Sequence, residues 1–417
     1  MDRNSPIPVT EKEYIRELAK KQLEYAHLPI MAERQRLWIL HNRLQGERPM
    51  VVMEEGSFVQ HILPPMRCKH PLAAGMEHHL SQNIATHETI DDDKIVPGFF
   101  PVNYAIGTDF LGLKQQKTRA DTGQGFHIDP LFETLEEGLP LLAPSHYIYH
   151  KERTENYEKA AADVLGDILP VVRKNAFNHW FFIPTIHIVN MMGMENMYLA
   201  IMTEPDKFHI LMRKVTDDLI RSLRWQEEHN FLVLNNGNDY MGSGSYCFSD
   251  ELPGPDYSGK VLSRHTWGHI NSQESIGISP KQFVEFIYPY YEELAREFGL
   301  VYYGCCEPVH TLWDKCLHQL PNLRKISISA WCDEEMMGER LCASRVIYSR
   351  KPSPNFIGIK PEFDEDAFTD HITKTAAAVK GKCKAEFIFR DIYDLRGNTA
   401  KTRRAVEITR SIAQSMY

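Results

Sequence analysis

Two adjacent thiols, Cys305-Cys306, follow the short apolar run Leu300–Gly304, and a third, Cys332, follows Ile326–Ala330. A thiolate is a strong zinc ligand, whereas a Cys in a core is a small hydrophobe; both readings stand for all three. Neighbouring thiols are strained as a disulfide. Because side chains alternate along a strand, one of the pair is expected to face a site and the other to turn away, with Cys306 the inward choice. His310, just beyond, is a further candidate ligand. Glu274 precedes a helix and reads either as a metal-binding or proton-transferring carboxylate or as a solvated one. Asp239 and Asp391 are further candidate catalytic carboxylates. Asn235 and Asn238 read as a polar pocket wall, as a turn, or as both, since Asn-Gly-Asn-Asp is strong turn chemistry. Tyr240, Trp267 and Trp331, with Tyr246 and Phe248, offer flat walls for an aromatic ligand or ordinary packing. His187, His265 and His269 lack the H-x-x-x-H or H-x-C spacing of a metal motif. Cys68, Cys316, Cys342 and Cys383 read as structural.

These residues need a scaffold. Short apolar runs recur at 48–56, Pro97–Val102, Trp180–Ile186, Phe231–Leu234, Leu300–Gly304, Ile326–Ala330, Val346–Tyr348 and Ala385–Phe389. Helical patterns lie between them, such as 206–229 and 280–298, the latter after the cap Ser279-Pro280. Eight continuous apolar strands alternating with helices predict an α/β fold with a parallel sheet, closed as a (β/α)8 barrel. Residues 1–45 are expected as a helical extension and 46–417 as the barrel, with segments 103–178 and 236–279 over its mouth. A doubly wound open sheet is the alternative. No G-x-G-x-x-G follows the first run and no G-x-x-x-x-G-K-[ST] is present, so the usual nucleotide cradles are missing. In a barrel of this kind chemistry gathers at the C-terminal strand ends, where the thiols, Trp331 and Asp391 fall.

Composition narrows the class. The 417 residues carry 47 Lys+Arg against 56 Asp+Glu, a net charge of −9, so there is no basic footprint for nucleic acid. With 43% hydrophobic and 25% charged residues, neither disorder nor a membrane protein is expected. Eight Cys are too sparse for a disulfide scaffold, and the first residues show no secretory signal, so a cytoplasmic location is expected.

Several segments resemble the uroporphyrinogen decarboxylase superfamily over roughly residues 48–417. They are Glu274-Ser275-Ile276-Gly277-Ile278-Ser279-Pro280-Lys281-Gln282-Phe283 leading to Pro289-Tyr290-Tyr291, Tyr303-Gly304-Cys305-Cys306-Glu307-Pro308, Pro321-Asn322-Leu323-Arg324 and Tyr348-Ser349-Arg350-Lys351-Pro352. The resemblance implies a (β/α)8 barrel. Porphyrinogen decarboxylases carry an Arg-rich segment after the first strand, but here Met53-Glu54-Glu55-Gly56 stands in its place, which is wrong for a polyanionic substrate.

The other branch resembles zinc-dependent methyltransferases that work with corrinoid proteins in anaerobic O-demethylase systems. It implies zinc, held by Glu274 and by Cys306 or Cys305, with Cys332 and His310 competing as third ligand. The His two positions before the thiol, found in thiol-methylating members, is absent. The expected function is transfer of a methyl group from a small donor, such as a phenyl methyl ether, to Co(I) of a separate corrinoid partner protein that carries the cobalamin. Zinc would act as Lewis acid on the ether oxygen. A methylcobamide:thiol methyltransferase and a non-catalytic tetrapyrrole- or corrinoid-binding barrel are the alternatives. A homodimer is left open.

Overall fold

The computed structural model describes residues 5–114, 117–119, 126–175, 180–342 and 344–416. Eight strands run in parallel ladders: β1 (Met50–Met53), β2 (Phe100–Asn103), β3 (Val171–Lys174), β4 (Trp267–Ile270), β5 (Leu300–Tyr303), β6 (Leu323–Ile328), β7 (Ile347–Arg350) and β8 (Ala385–Phe389). Six form one sheet in the order β1-β8-β7-β6-β5-β4, and β2 pairs with β3 separately. Every residue of β1, β4, β5, β7 and β8 is buried. Helices cover the outside, so the strands need apolar residues on both faces and read as continuous runs.

Six of the eight expected runs become strands. Trp180–Ile186 does not, because Pro184 opens a helix there (Pro184–Met192), with proline tolerated at the first position. Phe231–Leu234 is irregular. Strand β3 was not expected, and β4 lies inside the segment 236–279 that was expected to cover the mouth. Parts of the other expected cover, 115–116, 120–125 and 176–178, lie outside the described residues.

Backbone ladders do not join β1 to β2 or β3 to β4 among the described residues. Side chains serve the exposed backbone groups instead. The Asn175 amide donates to Val233 O (2.7 Å) and accepts from Val233 N (2.6 Å). The Asn235 amide does the same for Trp267, at 3.0 and 2.9 Å. On the free edge of β1, Val51 N donates to Asp93 and Met53 N to Asp92, both at 2.7 Å. Each amide or carboxylate thus supplies what a neighbouring strand would have supplied.

Helices α1 (Val9–Ala26) and α2 (Pro29–Asn42) open the chain. The inner face of α1 (Ile15, Ala19) packs with Phe100 and Val102 of β2 and with α3 (Pro71–Thr89) and α4 (Lys151–Leu165). The long α5 (Pro205–Glu228) buries Phe208, Leu211, Met212, Val215, Leu219 and Leu223, the 3.6-residue stripe expected for 206–229. The helix expected over 280–298 is two: α6 (Pro280–Phe286), capped reciprocally by Ser279 and Gln282, and α7 (Tyr288–Arg296). The break falls at Ile287, just before Pro289, which has no N–H to continue the first helix. No helix among the described residues is long and apolar enough to cross a membrane.

The interior of the six-stranded sheet is charged. Lys325 of β6 and Glu386 of β8 are both fully buried and 3.0 Å apart. Glu386 also meets His41 of α2 (3.0 Å), Ser245 (3.0 Å) and Ser349 (2.7 Å). Burial alone would raise its pKa, but Lys325 and His41 hold Glu386 well below the usual carboxylate range. Lys351, just past β7, donates to Tyr302 (2.5 Å) and Ser349 (2.9 Å). Burial pushes Lys351 down to about 7 against the attraction of Glu386.

Candidate active site

A cavity of about 1650 Å³ opens beside the C-terminal ends of β1, β2, β3 and β4. Trp180, Tyr240, Tyr246 and Trp267 supply aromatic wall, and Glu54, Lys174, Asp239 and His269 supply polar wall. The expected aromatic residues therefore divide. Tyr240, Tyr246 and Trp267 line the cavity. Phe248 packs in a buried cluster with Trp38 and Ile388. Trp331 is 76% exposed, so it is not a wall of this cavity: it follows β6 on a turn, with nothing packed over it.

Tyr240 donates its hydroxyl proton to Glu54. Burial first, and the Glu54 charge second, push that phenol well above its usual range, so it stays protonated. Lys174 and Asp239 form an ion pair at 2.8 Å in the same wall. His269 of β4 stands edge-on to Trp180 with ring centroids 5.1 Å apart. It can do so because Gly242 lies against it: a Cβ there would sit 2.2 Å from the imidazole.

Behind Glu54 lies the thiol pair. Strand β5 ends at Tyr303, Gly304 takes φ +97°, and Cys305 and Cys306 occupy a bend. The expected alternation therefore fails, since the thiols are not part of the extended strand. They converge instead, with sulfurs 3.5 Å apart. Cys305 is 2% exposed and Cys306 is open to solvent. Arg390, just past β8, reaches Cys305 Sγ (3.4 Å) and Ser243 Oγ (3.0 Å). Its Nε lies 3.3 Å from Glu54 and 3.4 Å from Asp391. Cys306 Sγ also lies 3.6 Å from a carboxylate oxygen of Asp391, a second acceptor for its one proton. Asp391 holds φ +59°, a left-handed conformation uncommon for a non-glycine residue.

The hydrogen bond from Cys306, helped by the Arg390 charge, holds the Cys305 thiol below its usual range despite burial. The same bond, with burial and Asp391, pushes Cys306 up. Of the two, Cys305 is the thiol held down and Cys306 the one pushed up.

The remaining candidates are held elsewhere. Glu274 accepts from Thr185 (2.8 Å), and burial raises its pKa. Glu307 accepts from the backbone of Ser272 (3.0 Å) and Cys305 (2.9 Å), so it pins the two strand ends together. Cys332 contacts Ser329 (3.6 Å), and His310 accepts from the backbone N–H of Asp333 (3.3 Å). Among the described residues, no three His, Cys, Asp or Glu side chains form a group that could hold a metal. Zinc ligation by Glu274 and Cys306 with Cys332 or His310 is thus not assembled here, and no step below passes through a metal. Asn235 and Asn238 spend their amides on the backbone, Asn238 on Ile95 O at 2.9 Å, so they build the wall rather than bind through it. His187 stacks on Phe110, and burial lowers it to about 4.

Arg390, Glu54, Ser243 and Lys174 were missed as site residues. Arg390 had the same signal as the thiols, a polar residue immediately after a strand. Ser243 and Lys174 had none, because β3 and the 240–246 hairpin were not foreseen.

No family model matches the chain, and no curated protein matches it. Among solved structures it is similar to a methyltransferase from Methanosarcina mazei, at 9% identity and a TM-score of 0.49, over 89% of this chain and 96% of that one.

Proposed function

We propose that this protein is a methyltransferase that takes a methyl group from a phenyl methyl ether and delivers it to a reduced corrinoid carried by a separate protein. The carrying observation is the cavity itself. Aromatic walls for a ring (Trp180, Trp267, Tyr240) stand beside a cation–carboxylate pair, Lys174–Asp239. Breaking a methyl ether sends the bonding electrons to oxygen, and phenoxide is a basic leaving group with a pKa near 10 on the tyrosine scale. Lys174, positioned by Asp239, supplies a preorganised cation where that charge develops. Tyr240, held protonated by Glu54, closes the wall. The reduced corrinoid supplies the nucleophile that accepts the methyl group. The motif resemblance supports the reading, as does the room for a macrocycle edge beside the ring. The strand order together with the side-chain stitching at 92–93 and 231–235 supports a barrel-like closure of the eight strands.

The test is a donor screen with reduced corrinoid protein, measuring phenol release and methylated cobalt. The reading expects both products in equal amounts from at least one methoxyarene, with Lys174→Met lowering turnover about a hundredfold or more, the usual cost of one oxyanion donor. Methylation of a thiol from methylcobamide, with no reaction of ethers, would reverse the direction and favour the thiol methyltransferase. No methyl movement in either direction would leave only a binding role.

A further inference from the structure

The thiol pair has a chemistry of its own that methyl transfer does not use. We infer that Cys305 and Cys306 form a chelating dithiol that captures trivalent, thiophilic metalloids, of which a monosubstituted arsenic(III) oxide, R–As=O, is the simplest. The inference rests on the thiol geometry and is independent of the proposed function.

Three observations carry it. The first is spacing: sulfurs bound to one soft centre at about 2.3 Å, the zinc–sulfur length, lie about 3.3–3.8 Å apart for bond angles between a right angle and the tetrahedral value. The two sulfurs here are already 3.5 Å apart. The bend after Gly304 holds them so, because Cys305 is fixed by its own backbone: its N–H donates to Glu307 (2.9 Å) and its carbonyl accepts from Ser327 (2.6 Å). The second is donor count. Structural and catalytic zinc sites take three or four protein ligands, and no such group exists among the described residues. A monosubstituted arsenic(III) keeps its own carbon substituent and asks the protein for two sulfurs only. The third is charge and access. Arg390 lies 3.4 Å from Cys305 Sγ and favours the attacking thiolate, while Cys306 is exposed and meets the incoming reagent first.

The step balances without an oxidant. Two As–S bonds form and the As=O bond breaks. The oxygen leaves as water with the two thiol protons, and arsenic stays trivalent. Asp391, 3.6 Å from Cys306, accepts its proton on the way.

The probe is phenylarsine oxide at one equivalent on the full-length protein, read by intact mass and by peptide mapping after iodoacetamide. The expected result is one adduct per chain, with Cys305 and Cys306 protected together while Cys332, Cys342 and Cys383 are alkylated. The adduct should survive excess glutathione and be removed by 2,3-dimercaptopropanol. Cys305→Ser and Cys306→Ser should each weaken capture at least tenfold, and Cys342→Ser should leave it unchanged. Arsenic-dependent protection of Cys332, Cys342 or Cys383 in place of the pair, or release by a monothiol, would overturn the inference whether or not the variants fold.

Discussion

Arg390 is a charged neighbour of the thiol pair. Its guanidinium touches Cys305, Ser243 and the carboxylates of Glu54 and Asp391 at once. Replacing it by an apolar residue of similar length removes the positive charge that favours the thiolate. Thiolate fraction falls as the pKa rises, so Arg390→Met should slow alkylation of Cys305 at pH 7. Rates of iodoacetamide labelling, followed by peptide mass, check this; an unchanged rate would mean that Cys306 alone sets the reactivity. The rule that chemistry gathers at strand ends located Cys305, Cys306 and Asp391 from sequence. It could not say which thiol turned inward, because that depends on where the strand stops. Trp331 obeyed the same rule and still lies in solvent, since a position after a strand does not specify which way the turn carries the side chain.

Among the elements, the most informative error concerns residues 231–235. Their apolar character suggested a strand, yet the Val233 backbone bonds to the Asn175 amide, the Asn235 amide bonds to the Trp267 backbone, and neither Asn advertises that use in sequence. Asn235→Ala should therefore act as a structural lesion. It removes both bonds to Trp267, and at about 0.5–1.5 kcal/mol net for each the loss is about 2 kcal/mol in urea unfolding. Asn238→Ala, which loses its one bond to Ile95 O, should cost about half as much. Equal effects would mean that the stitching at Trp267 carries no special weight. Strand β4 was hidden for a related reason: Trp-Gly-His-Ile is short, with a glycine and a histidine breaking the apolar run. Gly268 is needed there because a Cβ would sit 2.3 Å from the Phe298 ring. The split between α6 and α7 was legible in Pro289 and was overridden by the apolar period around it.

For the molecule as a whole, the parallel α/β character and six of the eight strands followed from the run lengths, because two-sided burial leaves a continuous apolar signature. The charged interior left no such trace. Glu386 sits inside an apolar run, Lys325 just before one and Lys351 just past another, and only the folded sheet brings them together. That interior makes stability depend on pH. Lys351 has a folded pKa of about 7, against about 10.4 in an unfolded chain. Between these values the unfolded chain binds more protons, so stability rises with pH across that window, by up to about 1.4 kcal/mol per unit. Below pH 7 the full penalty of charging Lys351 in the fold applies. Lys351→Met should flatten this slope in denaturant titrations at pH 7 and 9.5. A slope unchanged by the substitution would assign the effect to other groups.

Methyl transfer from an ether to a corrinoid partner is tested most directly by one labelling experiment. The protein is mixed with a methoxyarene carrying a ¹³C-methyl group and with reduced corrinoid protein, and the label is located by NMR after one turnover. The expected result is the label on cobalt, unlabelled phenol in equal amount, and loss of both products in Lys174→Met. Label remaining wholly in the ether, while a thiol is methylated from methylcobamide, would contradict it.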